Sequence, residues 1–203
     1  MSAVLPMLFA HGIGPLYMAG LALLAVAVAI SDLRVRRIPN AWLLAGLGYA
    51  LALLCALAFM SGPAMALRGL MMGLFGMLVG GLACLPGYMA RQMAAGDVKF
   101  MMVIGFFLGP MGAVFALLNA ALVGGLWALG IAWRSGGLGH VWHNLKFMAR
   151  SAWLSGLRDV GWDLSSAGAL RMPYGVALSI GACSVIAWQV LRSPTLRAAL
   201  LGD

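Results

Sequence analysis

Apolar runs of nearly twenty residues recur along this chain, separated by short stretches where charge, glycine and proline collect. Runs of that length match the roughly 30 Å hydrocarbon core of a bilayer. Hydropathy and punctuation together predict spans near residues 14–32, 41–60, 66–86, 97–109, 111–133 and 173–191. The fold class that follows is all-α, a polytopic membrane helix bundle of about six transmembrane helices forming one membrane-embedded domain over residues 1–203. The fourth span is short and ends at Gly109-Pro110. A single straight helix from Val98 to Trp133 would reach about 54 Å, well beyond the bilayer, so two helices fit better.

The positions of Lys and Arg set the expected orientation. Arg34, Arg36, Arg37, Arg91, Lys99, Arg134, Lys146, Arg150, Arg158 and Arg171 fall at or beyond one face if the spans are threaded in order, leaving Arg68, Arg192 and Arg197 on the other. The positive-inside rule makes the richer face cytoplasmic and puts the N-terminus outside. Leu16 to Ile30 is followed, not preceded, by arginines, the reverse of a cleavable signal, and reads as a retained first helix. Between the last two spans, residues 134–172 form a basic segment. Trp142, Leu145, Ala149, Ala152 and Trp153 fall toward one helical side and Lys146 and Arg150 elsewhere, as in a helix lying in the headgroup layer.

Composition agrees and narrows the chemistry. The chain is 64% hydrophobic and 9% charged, against roughly 45–50% and 25% in soluble domains. Its excess of 13 Lys and Arg over 5 acids is explained by topology and by contact with anionic membrane lipid, not by nucleic acid. Cys55, Cys84 and Cys183 stand singly, without the C-x-x-C spacing of a zinc site or a disulfide framework. His140 and His143 are close in sequence but have no acid nearby, and His11 is isolated, so no metal site is predicted. Gly69-x-x-x-Gly73, Gly76-x-x-x-Gly80 and Gly105-x-x-x-Gly109 predict tight helix packing and leave the oligomeric state open.

The acids are the informative minority: Asp32, Asp97, Asp159, Asp163 and Asp203, with no glutamate. Asp32 ends the first apolar run and Asp97 opens the fourth, both on the predicted cytoplasmic side. Each has an ordinary role open to it: an ion pair with Arg34, Arg36 or Arg37 for Asp32, and an N-cap for Asp97. Acids at membrane positions are nevertheless function-prone. Two of them at helix ends on one face are the raw material of an aspartyl pair. Like charges a few ångströms apart do not both ionise readily, so such a pair shares a proton, and one member can activate water while the other polarises a carbonyl.

Three stretches carry a family resemblance. "AGDVKF" (Ala95–Phe100) resembles the GxGD motif of the membrane-embedded aspartic peptidases that process prepilins, with Ala94 where the motif has its first glycine. "DLRVRRIPN" (Asp32–Asn40) resembles the element that follows that family's first helix, and "MPYGVALSIGA" (Met172–Ala182) its proline-tyrosine-glycine start to the last helix. The resemblance implies that Asp32 and Asp97 are catalytic, without cofactor or metal, and that Gly96, Pro39, Asn40, Pro173, Tyr174 and Gly175 shape their surroundings. Gly96 is expected to permit close backbone approach or unusual dihedrals beside Asp97, and Lys99 to snorkel to the interface. Pro39 with Asn40, and Pro173, also read as helix starts, and Ser31 as a packed hydroxyl.

The function so implied is an aspartic endopeptidase of the bacterial inner membrane that cleaves the leader of a pilin precursor at the cytoplasmic face. Larger relatives carry an insertion with paired C-x-x-C elements that accompanies N-methylation. This chain lacks such cysteines, which points to the compact Flp-type (tight adherence) form with no methyltransferase activity. Competing readings are a preflagellin or pseudopilin peptidase of the same family, a proton-coupled transporter using Asp32 and Asp97, and a non-catalytic assembly factor whose acids are caps.

Overall fold

The computed structural model describes residues 12–91, 93–134 and 174–192, and their regular structure is helical. Helices α1 (Gly14–Val35), α2 (Asn40–Ser61), α3 (Pro63–Met89), α4 (Ala95–Arg134) and α5 (Tyr174–Arg192) follow in order. All five are long and apolar enough to cross a membrane. The basic segment between α4 and α5, all three histidines, Pro173 and Asp159 lie outside the described residues.

Local chemistry sets the boundaries. Proline occupies the first turn of α1 and α3, where its missing N–H has no helical partner to lose. Pro39 is extended (φ −66°, ψ 125°) and α2 begins at the next residue. Arg36 ends α1 in the left-handed region (φ 52°, ψ 36°), its amide bonded to the Asp32 carbonyl at 3.0 Å. Gly62, at φ 90°, turns the chain from α2 into α3.

Six spans are expected from the sequence, and the structure delimits five helices. The fourth and fifth expected spans form one element, α4, in which Gly109 alone leaves helical dihedrals (φ 72°, ψ 178°) and Pro110 follows. The contacts show what that break does. Before it, α4 runs antiparallel to α3: a Cβ on Gly80 would meet the Met101 carbonyl oxygen at 2.7 Å, and one on Gly73 the Phe106 ring at 2.9 Å. After it, α4 runs antiparallel to α5. Gly181 faces Ala116 and Ala120, Gly124 faces Ala177, and the Asn119 amide donates to Ser184 Oγ at 2.8 Å.

A straight helix would carry Gly124 about 40 Å from Asp97. Instead Gly124 packs near the start of α5, where Gly175 touches Asp32. The second half of α4 therefore returns toward the end from which the first half set out. Glycine suits the break because its φ is positive, a region costly for residues with a Cβ.

The first half of α4 is the core of the bundle. Phe100, Met101 and Ile104 are fully buried, and Phe106, Phe107 and Leu108 nearly so, as befits a helix that is apolar all round. Tyr17 of α1 packs on the Phe107 ring, with centroids 4.7 Å apart, and its hydroxyl donates to the Phe106 carbonyl at 3.4 Å. Close approach of α3 and α4 rests on Gly76 and Gly105, each of which would drive a Cβ into the other's backbone. The outer helices expose Leu23, Leu44, Phe59 and Leu78, side chains suited to lipid.

Candidate active site

Asp32 and Asp97 arrive at the same end of the bundle from different helices. Asp32 lies in the last turn of α1 and is 7% exposed; Asp97 lies in the first turn of α4 and is 6% exposed. They are close enough for the charge of Asp32 to act on Asp97. Among the described residues the buried polar side chains are Ser31, Asp32, Asp97 and Ser179, all on α1, α4 or α5.

The ordinary role expected for Asp97 is found in altered form. It is the third residue of α4, not the N-cap, and its Oδ2 accepts the Ala94 amide at 3.2 Å while its own amide donates to the Ala94 carbonyl at 3.1 Å. This is the reach-back half of a capping box. Its physical reason is the position of Ala94, which precedes the helix and leaves an amide that helical bonding does not satisfy. Ala94 is not among the residues with positive φ, so alanine serves at the motif's first position without strain.

Asp32 is framed differently. The backbone amides of Gly175 and Val176, at the start of α5, face its carboxylate, and the Arg36 charge acts on it. Neither amide makes a bond of full hydrogen-bond geometry to Oδ2, which is buried without a partner. Asp32 is thus faced both by amide dipoles of another helix and by the charge of Arg36 in its own loop.

The remaining candidates fall around these two. Tyr174 opens α5 and lies within the electrostatic reach of Asp97. Lys99 is exposed and donates to Asn40 Oδ1 at 3.3 Å, tying the first turn of α4 to the start of α2. Gly96 has no positive φ, and a Cβ there would meet Ile38 Cβ at 3.4 Å, ordinary packing distance. Neither of the reasons expected for a glycine at that position is present. Ser31 does more than pack: its hydroxyl donates to the Arg37 carbonyl at 2.7 Å and pins the loop that follows Asp32.

Two features were not found from sequence. Cys84 of α3 is buried within the electrostatic reach of Asp97, and the α3–α4 packing brings it there. The amides of Gly175 and Val176 carry no side-chain signal at all. Among the described residues no cluster of His, Cys, Asp or Glu has the makings of a metal site.

Fold and site together define a polytopic membrane protein in which two carboxylates from separate helices converge at one end of the bundle. The family model described as the type IV leader peptidase family matches residues 19–129, more than half of the chain, and the chain belongs to that family of peptidases. The matched region contains both aspartates and stops short of α5. No curated protein and no solved structure matches the chain.

Proposed function

We propose that this protein is a membrane-embedded aspartic endopeptidase, acting as a single domain, that removes the leader peptide from Flp-type prepilins at the cytoplasmic face of the bacterial inner membrane. The observation that carries the reading is the meeting of Asp32 and Asp97, buried and in mutual electrostatic reach, in a chain of the leader peptidase family. The cytoplasmic placement is supported by Arg34, Arg36, Arg37, Arg91 and Lys99, all exposed near the ends of α1, α3 and α4 that flank the acids. The absence of methyltransferase activity is supported by the solitary placing of Cys55, Cys84 and Cys183.

In the proposed reaction one carboxylate takes a proton from water while the protonated partner donates a hydrogen bond to the scissile carbonyl. Water oxygen bonds to the carbonyl carbon, the C–N bond breaks, and a proton passes to the leaving amine. The precursor's own apolar helix lies against the bundle and brings its leader junction to the acids. Catalytic roles for Asp32 and Asp97 and supporting roles for Gly96, Lys99, Pro39, Asn40, Pro173, Tyr174 and Gly175 belong to this proposal.

The test is leader cleavage of a co-expressed Flp-type precursor, read by gel mobility and N-terminal sequencing. Asp32→Asn and Asp97→Asn, at normal membrane levels, abolish cleavage, whereas Asp159→Asn leaves it intact. Cleavage persisting in either of the first two rejects the two-aspartate mechanism. Survival of both, with the protein still required for pilus assembly, favours the assembly-factor reading.

A further inference from the structure

The first turn of α5 faces the acids: Gly175 packs on Asp32, the amides of Gly175 and Val176 face its carboxylate, and Tyr174 lies within the electrostatic reach of Asp97. Gly175 is buried at the point of closest approach. A Cβ built there would stand 2.8 Å from Asp32 Oδ2, 3.0 Å from its Cγ and 3.1 Å from its Cβ. Two of those three atoms lie near the root of a short side chain on a packed helix, so a χ rotation cannot clear them all. The backbone at Gly175 has no positive φ, so the glycine is required by space and not by conformation.

The turn is also fixed from behind. Ser179 is buried and donates to the Gly175 carbonyl at 2.7 Å. Two residues further, Gly181 sits against Ala116 and Ala120 of α4 so closely that α5 cannot slide away from Asp32 without losing that seam. The contact is therefore clamped on both sides.

We infer that Gly175 is a positioning residue for the hydrolysis: having no side chain, it lets the first turn of α5 close on Asp32 and so fixes where that carboxylate stands relative to Asp97. The space a Cβ would fill lies directly beside Oδ2, the oxygen that has no protein partner. Gly175 thus keeps one face of the carboxylate clear while the amides of its own turn orient it. The inference rests on the aspartyl reading for its catalytic half and on geometry alone for its contact half.

The two halves are tested separately with full-length protein. In detergent, Tm is measured for wild type, Gly175→Ala, Asp32→Ala and the double variant. Gly175→Ala lowers Tm by about 3 °C or more, and most of that loss disappears when Asp32→Ala has removed the Cγ and oxygens it would strike. The double variant doubles as the folding control. In leader cleavage, Gly175→Ala lowers kcat at least tenfold with KM within twofold of wild type, while Ile180→Ala, on the exposed face of the same helix, keeps wild-type values. Additive Tm losses, or an unchanged kcat in Gly175→Ala, overturn the inference. Cleavage surviving in Asp32→Asn overturns the aspartyl reading and with it the catalytic half, whatever the Tm cycle gives.

Discussion

The acid-bearing end of the bundle and the α2–α3 hairpin at the opposite end use space in contrary ways. Between α2 and α3 an open groove of about 510 Å³ is lined by Leu51, Leu54, Cys55, Ala58, Pro63 and Leu67, among others, and is almost wholly apolar. Around Asp32 and Asp97, by contrast, two buried carboxylates meet the amides that open α5, within the electrostatic reach of Tyr174. In a bilayer, however, apolar hollows cost little because lipid chains fill them, whereas a buried carboxylate needs a reason to be there. Polarity, not concavity, is what singles out the acid-bearing end.

The comparison is broken most severely by removing the acids. Asp32→Asn or Asp97→Asn is expected to lower the initial rate of leader cleavage by about 10²–10⁴-fold or more, measured in membranes at matched protein levels. Next in size is a change in the frame that joins the two ends. Gly76→Val places side-chain atoms against the Gly105 carbonyl and the Gly109 backbone; overpacking of this kind costs about 1–3 kcal/mol. It should reduce both Tm and folded membrane content, with cleavage falling in step.

Smaller effects sharpen the contrast. Lys99→Ala removes one exposed hydrogen bond to Asn40, worth about 1 kcal/mol or less, and should change cleavage by no more than a few-fold. Its effect should be matched, not added to, by Asn40→Ala in a double-mutant cycle. Smallest of all, Ala58→Leu partly fills the groove. Cleavage kinetics should be those of the wild type, and a loss of kcat there would show that the far end takes part in turnover after all.

How much of this was legible in the sequence depends on how each feature is encoded. Asp32 and Asp97 stood out because acids are scarce, and Gly109-Pro110 because that pair punctuates an apolar run. The break at Gly109-Pro110 was legible because one straight helix would overrun the bilayer, and the two spans expected on either side of it are the two halves of α4; which neighbours those halves pack on, α3 before the break and α5 after it, was not, since that is expressed only in contacts. Asp97 was expected one turn position too early, as an N-cap, because sequence does not fix a helix start to a single residue. Gly96 was given a conformational reason that its dihedrals do not support. Cys84 and the Val176 amide were invisible for a simpler reason: one looks like any apolar position and the other has no side chain in play. The interfacial helix expected within residues 134–172 lies outside the described residues.

The turn at Gly109 has a consequence for proton leakage. The helix that begins with Asp97 runs inward for about 20 Å and then doubles back. The interior beyond the acids is stacked with Phe100, Met101, Ile104, Phe106, Phe107 and Leu108, with Tyr17 closing over the tip. Among the described residues this stack carries no ionisable group other than that tyrosine, whose hydroxyl is spent on a backbone carbonyl. Among the described residues, then, the way from the carboxylates through this stack to the Gly109 turn is apolar. A path so lined offers a proton no relay, so reconstituted vesicles carrying the protein are expected to hold an imposed pH gradient as long as protein-free ones do.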